Sequence, residues 1–113
     1  MKRTDLWLAD LDPVKGHEQS GTRPVIIWQH DLLLRFSSTV LVIPLTSNLR
    51  RAKLPTCVRL NQSLTGLKED SVALCHQLRV LDKGRLLHQI GKLPTELVKE
   101  LEVCILFTMG IGT

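Results

Sequence analysis

Residues 40–48 read Val-Leu-Val-Ile-Pro-Leu-Thr-Ser-Asn, an apolar run that ends abruptly in three small polar side chains. The apolar part is rich in β-branched residues, long enough for a buried strand and too short for a typical helix. A second run of the same kind, Val25-Ile-Ile-Trp28, precedes it. We therefore predict two core strands at residues 25–28 and 40–45, joined by a loop over residues 30–38.

Further strand signals lie on both sides of this pair. Alternating or short apolar runs predict strands at residues 5–9, 57–60 and 87–93, and one long strand or two at residues 70–80. Asp82-Lys-Gly-Arg-Leu86 indicates a short helical turn. The order contains many strands and no alternation of strand and helix, which predicts a mostly antiparallel barrel or curled sheet.

One longer helix is expected near the carboxyl end. Pro94 suits a first helical turn, and Gly110 suits a helix end. Between them one face of the predicted helix is apolar, with members at i, i+4, i+7, i+8 and i+11: Leu97, Leu101, Cys104, Ile105 and Thr108. Phe107 and Met109 lie off this face, which suggests contact with a second subunit. The fold class is thus mostly β (α+β), with five to six strands and a C-terminal helix in a single domain, residues 1–113.

Composition narrows the functional classes. Apolar residues make up 43% and charged residues 23%, as in ordinary globular proteins. The longest stretches without a charge, residues 36–49 and 103–113, are both far shorter than a membrane span. The basic start is followed by Asp5, Asp10 and Asp12 instead of an apolar run, so no secretory signal is indicated. We expect a cytoplasmic protein with no membrane association.

The cysteines and histidines give no support for a metal or disulfide framework. Three widely spaced cysteines are odd in number and sit among apolar residues, so we interpret them as buried structural thiols. The four histidines show no ligand spacing, and the acidic residues do not cluster outside the turn at Asp10 and Asp12. We expect no metal and no cofactor; His17 is the one histidine predicted near a site.

Positive charge is concentrated away from the predicted helix. From residue 94 onward, Lys99 faces Glu96, Glu100 and Glu102, a net −2 within the total of +4, which leaves +6 for the rest. Such a basic body attracts nucleic acid, another polyanion or an acidic protein, and charge alone does not choose among these.

Two polar features adjoin the predicted core strands. Gly16-His-Glu-Gln-Ser-Gly-Thr-Arg-Pro24 is a polar loop that places Arg23 just before a strand, where Pro24 favours an extended backbone. Arg23 is either a preorganised anion binder or a solvated residue beside a strand-initiating proline. Likewise Thr46-Ser47-Asn48 is either a platform at a strand end or simply a turn. A basic segment follows at residues 50–56, and Gln77 and Arg79 are expected to share one face of a strand.

Several stretches together resemble the MazF/PemK-type toxins, a family of sequence-specific endoribonucleases. The resemblance covers nearly the whole chain in order. It lies in residues 1–13, residues 16–31, Pro44-Leu-Thr-Ser47, Lys53-Leu-Pro-Thr56, Asp70-Ser-Val72, Gln77-Leu-Arg79, Asp82-Lys83, Arg85-Leu86 and Ile90-Gly-Lys-Leu93. It implies a homodimer of small SH3-like barrels that cleaves single-stranded mRNA without metal, leaving a 2′,3′-cyclic phosphate and a 5′-hydroxyl, and that binds a cognate acidic antitoxin.

The resemblance also implies roles for individual residues. Arg23 and Thr46 match the family's catalytic arginine and threonine. RNA binding is implied for seven further residues: Glu18, Gln19, Ser47, Lys53, Leu54, Gln77 and Arg79. The chain departs from the family at Thr4, where glycine is usual, and at His30 and His76, where asparagine and glutamate are common. These last two positions bear on base preference or on the partner surface.

Two alternatives stay open at this point. A toxin of the same fold can poison a protein target such as a topoisomerase, and fold alone does not separate that function from RNA cleavage. A non-catalytic barrel that binds RNA or antitoxin is the third possibility. The paired Arg23 and Thr46 favour the nuclease.

Overall fold

A computed structural model describes residues 1–112, and the elements below refer to that range. The strands are β1 (Asp5–Asp10), β2 (Thr22–Ile27), β3 (Thr39–Thr46), β4 (Cys57–Leu60), β5 (Ser71–Leu74), β6 (Arg79–Asp82) and β7 (Leu86–Lys92). The helices are α1 (Asp31–Leu34), α2 (Gln62–Thr65) and α3 (Thr95–Met109). Three 3-10 turns lie at Leu49–Lys53, Cys75–Gln77 and Lys83–Arg85.

The long strand β3 organises an antiparallel sheet of order β4-β5-β3-β2-β1-β7. One edge of β3 pairs with β2, and the other edge is divided between β6 and β5. This division lets the sheet curl, and the molecule measures 33 × 31 × 30 Å, which is close to isometric. The predicted mostly-β barrel-like fold with a C-terminal helix is therefore confirmed.

Both faces of the central strands are buried. In β2, Ile26 packs into a cluster with the apolar face of α3, whereas Val25 and Ile27 pack into a second cluster on the opposite face with Val40 and Val42 of β3. Strands buried on both sides read as continuous apolar runs, because neither set of alternate side chains meets water. That burial explains the uninterrupted runs at residues 25–28 and 40–45.

Helix α3 confirms the prediction from periodicity. Pro94 is its N-cap and Gly110 its C-cap, with Gly110 in the left-handed region at φ 73°. Its buried residues are Leu97, Leu101, Cys104 and Ile105. Phe107 and Met109 are 50% and 58% exposed, as their positions off the apolar face suggested.

Two details of the predicted elements were wrong. The structure has seven strands instead of five to six, because the 3-10 turn Cys75–Gln77 separates β5 from β6. The segment predicted as a loop at residues 30–38 contains α1, a single turn whose start is capped by His30: its Nδ1 accepts a hydrogen bond from the Leu32 amide at 3.1 Å. One turn of helix carries too little periodicity to be recognised in a sequence. The helical turn predicted at residues 82–86 is present as the 3-10 turn Lys83–Arg85.

The backbone restricts the residue type at two positions, Gly91 and Thr4. A Cβ on Gly91 of β7 would lie 2.3 Å from the carbonyl oxygen of Thr65, so β7 can approach α2 only through glycine. At Thr4 the backbone φ is 75°, a conformation that is unfavourable for a β-branched residue. The resembled family usually has glycine at this position.

None of the helices in the described range is both long and apolar enough to cross a bilayer.

Candidate functional site

Strands β2 and β3 bring Arg23 and Thr46 together. Their register pairs Ile27 with Val42, Ile26 with Ile43 and Val25 with Pro44. The pairing ends there, and Arg23 lies two residues before Val25 in β2 while Thr46 lies two residues after Pro44 in β3. Two residues that are 23 positions apart in the sequence thus stand at neighbouring ends of two paired strands.

Both side chains line a cavity of about 550 Å³. Its walls come from the ends of β2 and β3, from the segment between α2 and β5, and from β7. The lining residues include Arg23, Thr46, Ser47, Lys68, Glu69, Ser71, His88 and Gln89. The lining also includes the apolar side chains of Leu8, Leu45, Leu67 and Ile90, so apolar and polar groups share the cavity surface.

Arg23 is the second residue of β2, and its guanidinium remains accessible. The residue is exposed, and its one described hydrogen bond runs from Nε to the carbonyl oxygen of Ser20 at 3.1 Å. The two terminal nitrogens therefore stay available to an anion, with the planar donor geometry that matches phosphate oxygens. The strand begins at Thr22, three residues earlier than predicted, which places Arg23 on a rigid element.

Thr46 stands at the end of a strand and also takes part in a turn, which are the two interpretations that its sequence context allowed. It is 9% exposed at the end of β3, and its Oγ1 accepts a hydrogen bond from the Asn48 amide at 3.2 Å. Asn48 Oδ1 in turn accepts from the Arg50 amide at 3.3 Å, which begins the basic 3-10 turn. The hydroxyl is a turn-forming acceptor that still has its own proton to donate.

Four of the predicted RNA-binding residues form one cluster around the β1–β2 loop (residues 11–21). The Gln19 amide donates to Gln77 Oε1 at 2.6 Å, and Gln77 Nε2 donates to the carbonyl oxygen of His17 at 3.3 Å. Arg79 Nη1 donates to the carbonyl oxygen of Leu11 at 3.4 Å. Glu18 is exposed, and its Oε1 accepts from the Lys15 amide at 2.9 Å.

The expected strand face shared by Gln77 and Arg79 is wrong. Gln77 ends the 3-10 turn Cys75–Gln77, and Arg79 begins β6, so the two residues belong to different elements. The alternation that suggested one strand is broken because Leu78 caps the turn with its amide bonded to the Cys75 carbonyl at 3.2 Å.

The remaining predicted residues follow Thr46 along the chain. Ser47 is exposed and lines the cavity directly after Thr46. Lys53 ends the 3-10 turn Leu49–Lys53 and is exposed, and Leu54 follows at 45% exposure. Neither Lys53 nor Leu54 is among the cavity-lining residues.

Sequence reasoning missed one whole wall of the cavity. Lys68, Glu69 and Ser71 come from the α2–β5 segment, and His88 and Gln89 come from β7. The β1–β7 pairing, which sets Leu8 opposite His88, brings this wall to the site, and no local motif announces it. His88, and not His17, is the histidine that lines the cavity.

Asp70, between the cavity-lining residues Glu69 and Ser71, makes hydrogen bonds that stabilise this part of the chain. Its carboxylate accepts from the Gln62 amide at 2.8 Å and from Arg59 Nη2 at 3.0 Å. These bonds, the backbone one first, hold the pKa of Asp70 below its usual value. Asp70 therefore ties α2 and β4 to the chain between Glu69 and Ser71.

The three cysteines lie away from the cavity. Cys75 and Cys104 are buried, as predicted, whereas Cys57 is only partly buried. Burial raises the pKa of the Cys57 thiol and that of the Cys75 thiol, so both stay protonated near neutral pH. Across residues 1–112, no three His, Cys, Asp or Glu side chains converge so as to hold a metal ion.

Comparisons with known proteins agree with this architecture. Residues 2–107 match the model of a family described as PemK-like, MazF-like toxin of type II toxin-antitoxin system. The chain is 42% identical to Endoribonuclease MazF of Staphylococcus saprophyticus over 113 residues, covering 100% of this chain and 94% of the relative. It is 39% identical to Endoribonuclease EndoA of Bacillus subtilis, covering 98% and 96%. The solved structure of MazF from Deinococcus radiodurans superposes with a TM-score of 0.83 at 26% identity, covering 98% of this chain and 97% of the other.

Proposed function

The chain belongs to the PemK-like, MazF-like toxin family, and on that premise we propose that it is an endoribonuclease toxin that cuts single-stranded mRNA at the Arg23–Thr46 cavity. The observation that carries the proposal is that Arg23, near the start of β2, and Thr46, at the end of β3, line one cavity. The two relatives named above are both endoribonucleases.

The reaction we propose is an internal transesterification. The 2′-oxygen of one nucleotide attacks the adjacent phosphorus, the bond from phosphorus to the 5′-oxygen breaks, and the products are a 2′,3′-cyclic phosphate and a 5′-hydroxyl. One proton leaves the 2′-oxygen and one is added to the 5′-oxygen. The nucleophile belongs to the RNA, so the protein supplies in-line positioning and donors for the charge that grows on the phosphate oxygens.

Arg23 and Thr46 provide those donors. A guanidinium carries N–H donors and no acceptor, so Arg23 acts as a stabiliser of the transition state and as a proton donor to the leaving 5′-oxygen, and not as a base. Thr46 Oγ1 already accepts from the Asn48 amide, which orients its own hydrogen for donation to a phosphate oxygen. The cation that a metal ion supplies in other nucleases is here the guanidinium, so the reaction needs no metal.

The RNA path follows from the placement of charge. Ser47 lines the cavity, and the basic 3-10 turn Leu49–Lys53 follows it along the chain, with Leu54 exposed directly after the turn. Positively charged groups there attract successive phosphates, and the exposed Leu54 offers an apolar contact to a base. Glu18 is exposed in the β1–β2 loop, where it can accept hydrogen bonds from a base edge.

The outer face of α3 supports a homodimer. Val103, Phe107 and Met109 are 69%, 50% and 58% exposed, and the first two line a shallow groove of about 360 Å³ together with Pro55 and Cys57. Apolar side chains grouped in this way mark an interface on a folded protein. The second partner we propose is the acidic antitoxin of the same toxin–antitoxin system, bound through the basic surface in the cytoplasm, where mRNA is present.

End mapping on cleaved RNA tests the proposal. Purified protein is incubated with a long single-stranded RNA in excess EDTA, and both new ends are identified. We expect cleavage at a recurring short sequence, with a cyclic phosphate on one side and a 5′-hydroxyl on the other. Cleavage that requires added Mg²⁺ would refute the mechanism. Intact RNA with an inhibited topoisomerase would establish the same-fold poison instead, and RNA bound but uncut would establish a non-catalytic module.

A further inference from the structure

The side-chain amide of Gln77 holds the β1–β2 loop to the barrel through two hydrogen bonds, which we call the Gln77 clasp. Its Oε1 accepts from the Gln19 amide at 2.6 Å, and its Nε2 donates to the carbonyl oxygen of His17 at 3.3 Å. The side chain of Gln19 makes a further bond, from Nε2 to the carbonyl oxygen of Leu45 at 2.8 Å. Leu45 directly precedes Thr46, so the middle of the loop is bonded to the strand that carries the hydroxyl of the site.

The same loop holds the guanidinium of the site. Ser20 follows Gln19, and its carbonyl oxygen accepts from Arg23 Nε at 3.1 Å. Arg23 is exposed, and an unrestrained arginine side chain samples many rotamers. The carbonyl of Ser20 selects one arrangement, in which Nε is bonded to the loop and the two terminal nitrogens make no described hydrogen bond. Where that carbonyl lies depends on the backbone at residues 17–20.

The anchor is more rigid than the loop it holds. Gln77 ends the turn Cys75–Gln77, whose first residue is buried in the cluster beneath α3. Three of the four loop residues at positions 17–20 are exposed, and Gln19 is the one that is partly buried. A hydrogen bond from Arg79 Nη1 to the carbonyl oxygen of Leu11 holds the start of the loop. Among the described hydrogen bonds, those that hold residues 17–19 to the barrel come from the side chains of Gln77 and Gln19.

We propose that Gln77 is a positioning residue: it holds residues 17–19 so that the Ser20 carbonyl orients Arg23 toward the scissile phosphate. This role rests on the proposed nuclease function and differs from the direct RNA contact that the sequence suggested for Gln77. In the described structure both hydrogen-bonding groups of its amide are used by the loop. The line of contacts runs from Gln77 through the loop backbone to Arg23.

The decisive variant is Gln77→Met, which keeps the length of the side chain and removes both hydrogen bonds. Gln77→Glu is the partial variant, because its carboxylate still accepts from the Gln19 amide and repels the His17 carbonyl. Gln62→Met is the matched control: Gln62 is an exposed glutamine at the start of α2, outside the cavity lining, and its described hydrogen bonds involve its backbone and not its side chain. All are measured by single-turnover cleavage of one RNA over a range of protein concentrations.

The expected result is a loss of rate at saturation. Misplacing a catalytic group lowers the rate of the chemical step, so Gln77→Met should reduce the saturated rate by roughly 10-fold while half-saturation moves by less than about 2-fold. Gln77→Glu should fall between Gln77→Met and wild type, and Gln62→Met should match wild type. In an Arg23→Ala background, Gln77→Met should change the rate by less than about 2-fold, because its effect passes through the missing guanidinium. Weaker half-saturation with an undiminished effect in the Arg23→Ala background would overturn the inference in favour of direct RNA contact.

Proteolysis of the RNA-free protein tests the clasp without reference to activity. Lys15 is exposed within the β1–β2 loop, so trypsin cleavage after it reports how often the loop opens. We expect cleavage of Gln77→Met to be several-fold faster than that of wild type and Gln62→Met at unchanged melting temperature. Equal cleavage rates would overturn the clasp even if the protein cuts RNA as proposed. Faster cleavage in a protein that cuts no RNA would leave the clasp standing and remove only the nuclease function.

Discussion

Replacing Arg23 with alanine should separate activity from stability. The change removes the guanidinium from the cavity wall and leaves the β2 backbone and its register intact. Loss of one donor to a developing oxyanion costs about 10²- to 10³-fold in rate, equivalent to about 2.7–4 kcal/mol. Arg23 carries charge as well as hydrogen bonds, so we expect a loss in cleavage of at least about 10²-fold.

The effect on folding should be much smaller. Arg23 is exposed and contributes to neither buried cluster, and its described hydrogen bond is a single contact to the Ser20 carbonyl. Surface substitutions away from special features move the free energy of unfolding by about 0.5 kcal/mol, and the lost bond raises our upper estimate to about 1 kcal/mol. That limit corresponds to roughly 6 °C in melting temperature for a domain of this size.

The assay pairs single-turnover cleavage of a fluorogenic RNA with thermal unfolding of the same samples. Arg23→Lys is the control for geometry: it keeps a positive charge and loses the planar fork, so it should recover little of the lost rate. Cleavage near the wild-type rate by a folded Arg23→Ala protein would refute the assignment of the site. A large fall in melting temperature would show instead that Arg23 is part of the fold.

Four further changes follow from the structure. Thr46→Val leaves the Asn48 amide unpaired beside a nearly buried position, so we expect slower cleavage and a loss of about 1–2 kcal/mol in unfolding free energy. Thr46→Ser keeps the hydroxyl and should restore both the cleavage rate and the stability, as measured by single-turnover cleavage and thermal unfolding. The logarithm of RNA affinity should fall linearly with the logarithm of salt concentration. Lys53→Gln should reduce the magnitude of that slope by about 0.7, because one phosphate contact to a single strand is lost. An identical slope would remove Lys53 from the proposed RNA path. Phe107→Glu places a charge on the exposed face of α3 and should convert the proposed dimer to a monomer in light scattering, and the monomer should still unfold cooperatively. Thr4→Gly relieves a β-branched residue at φ 75° and should raise unfolding free energy by about 1 kcal/mol in denaturant titrations; a decrease would show that the threonine side chain is needed there.

Patterns that are local in sequence predicted their elements well. Helix α3 extends over residues 95–109, between the Pro94 and Gly110 that marked its ends, because a 15-residue helix repeats its apolar face several times. Strand β3 was placed within one residue at each end by its apolar run, which is extended only by the polar Thr39 and Thr46. Both segments contain enough residues for burial to leave a periodic or continuous signal.

Short and irregular elements left no comparable signal. The turn at Cys75–Gln77 contains three residues, so the alternation around it did not decide between one long strand and two. The start of β2 was missed because Thr22 and Arg23 are exposed, and their polarity looked like that of the preceding loop. Their strand conformation comes from pairing with Asp10 and Ala9 of β1, which is a tertiary effect.

The site was predictable only in part for the same reason. Arg23, Thr46 and Ser47 stand at the ends of recognisable apolar runs, and the structure brings them to one cavity. The opposite wall, with Lys68 and His88, depends on the β1–β7 register and on the close approach of Gly91 to Thr65. Such contacts between distant segments carry no local pattern.

A crystal structure with an uncleavable RNA tests the central claim most directly. The RNA carries a 2′-deoxy nucleotide at the mapped cleavage position, which removes the nucleophile and preserves the phosphate. The account predicts that non-bridging oxygens of that phosphate lie within about 3 Å of both the Arg23 guanidinium and the Thr46 hydroxyl, as hydrogen bonds require. A scissile phosphate bound outside the cavity, or in contact with neither side chain, would contradict it.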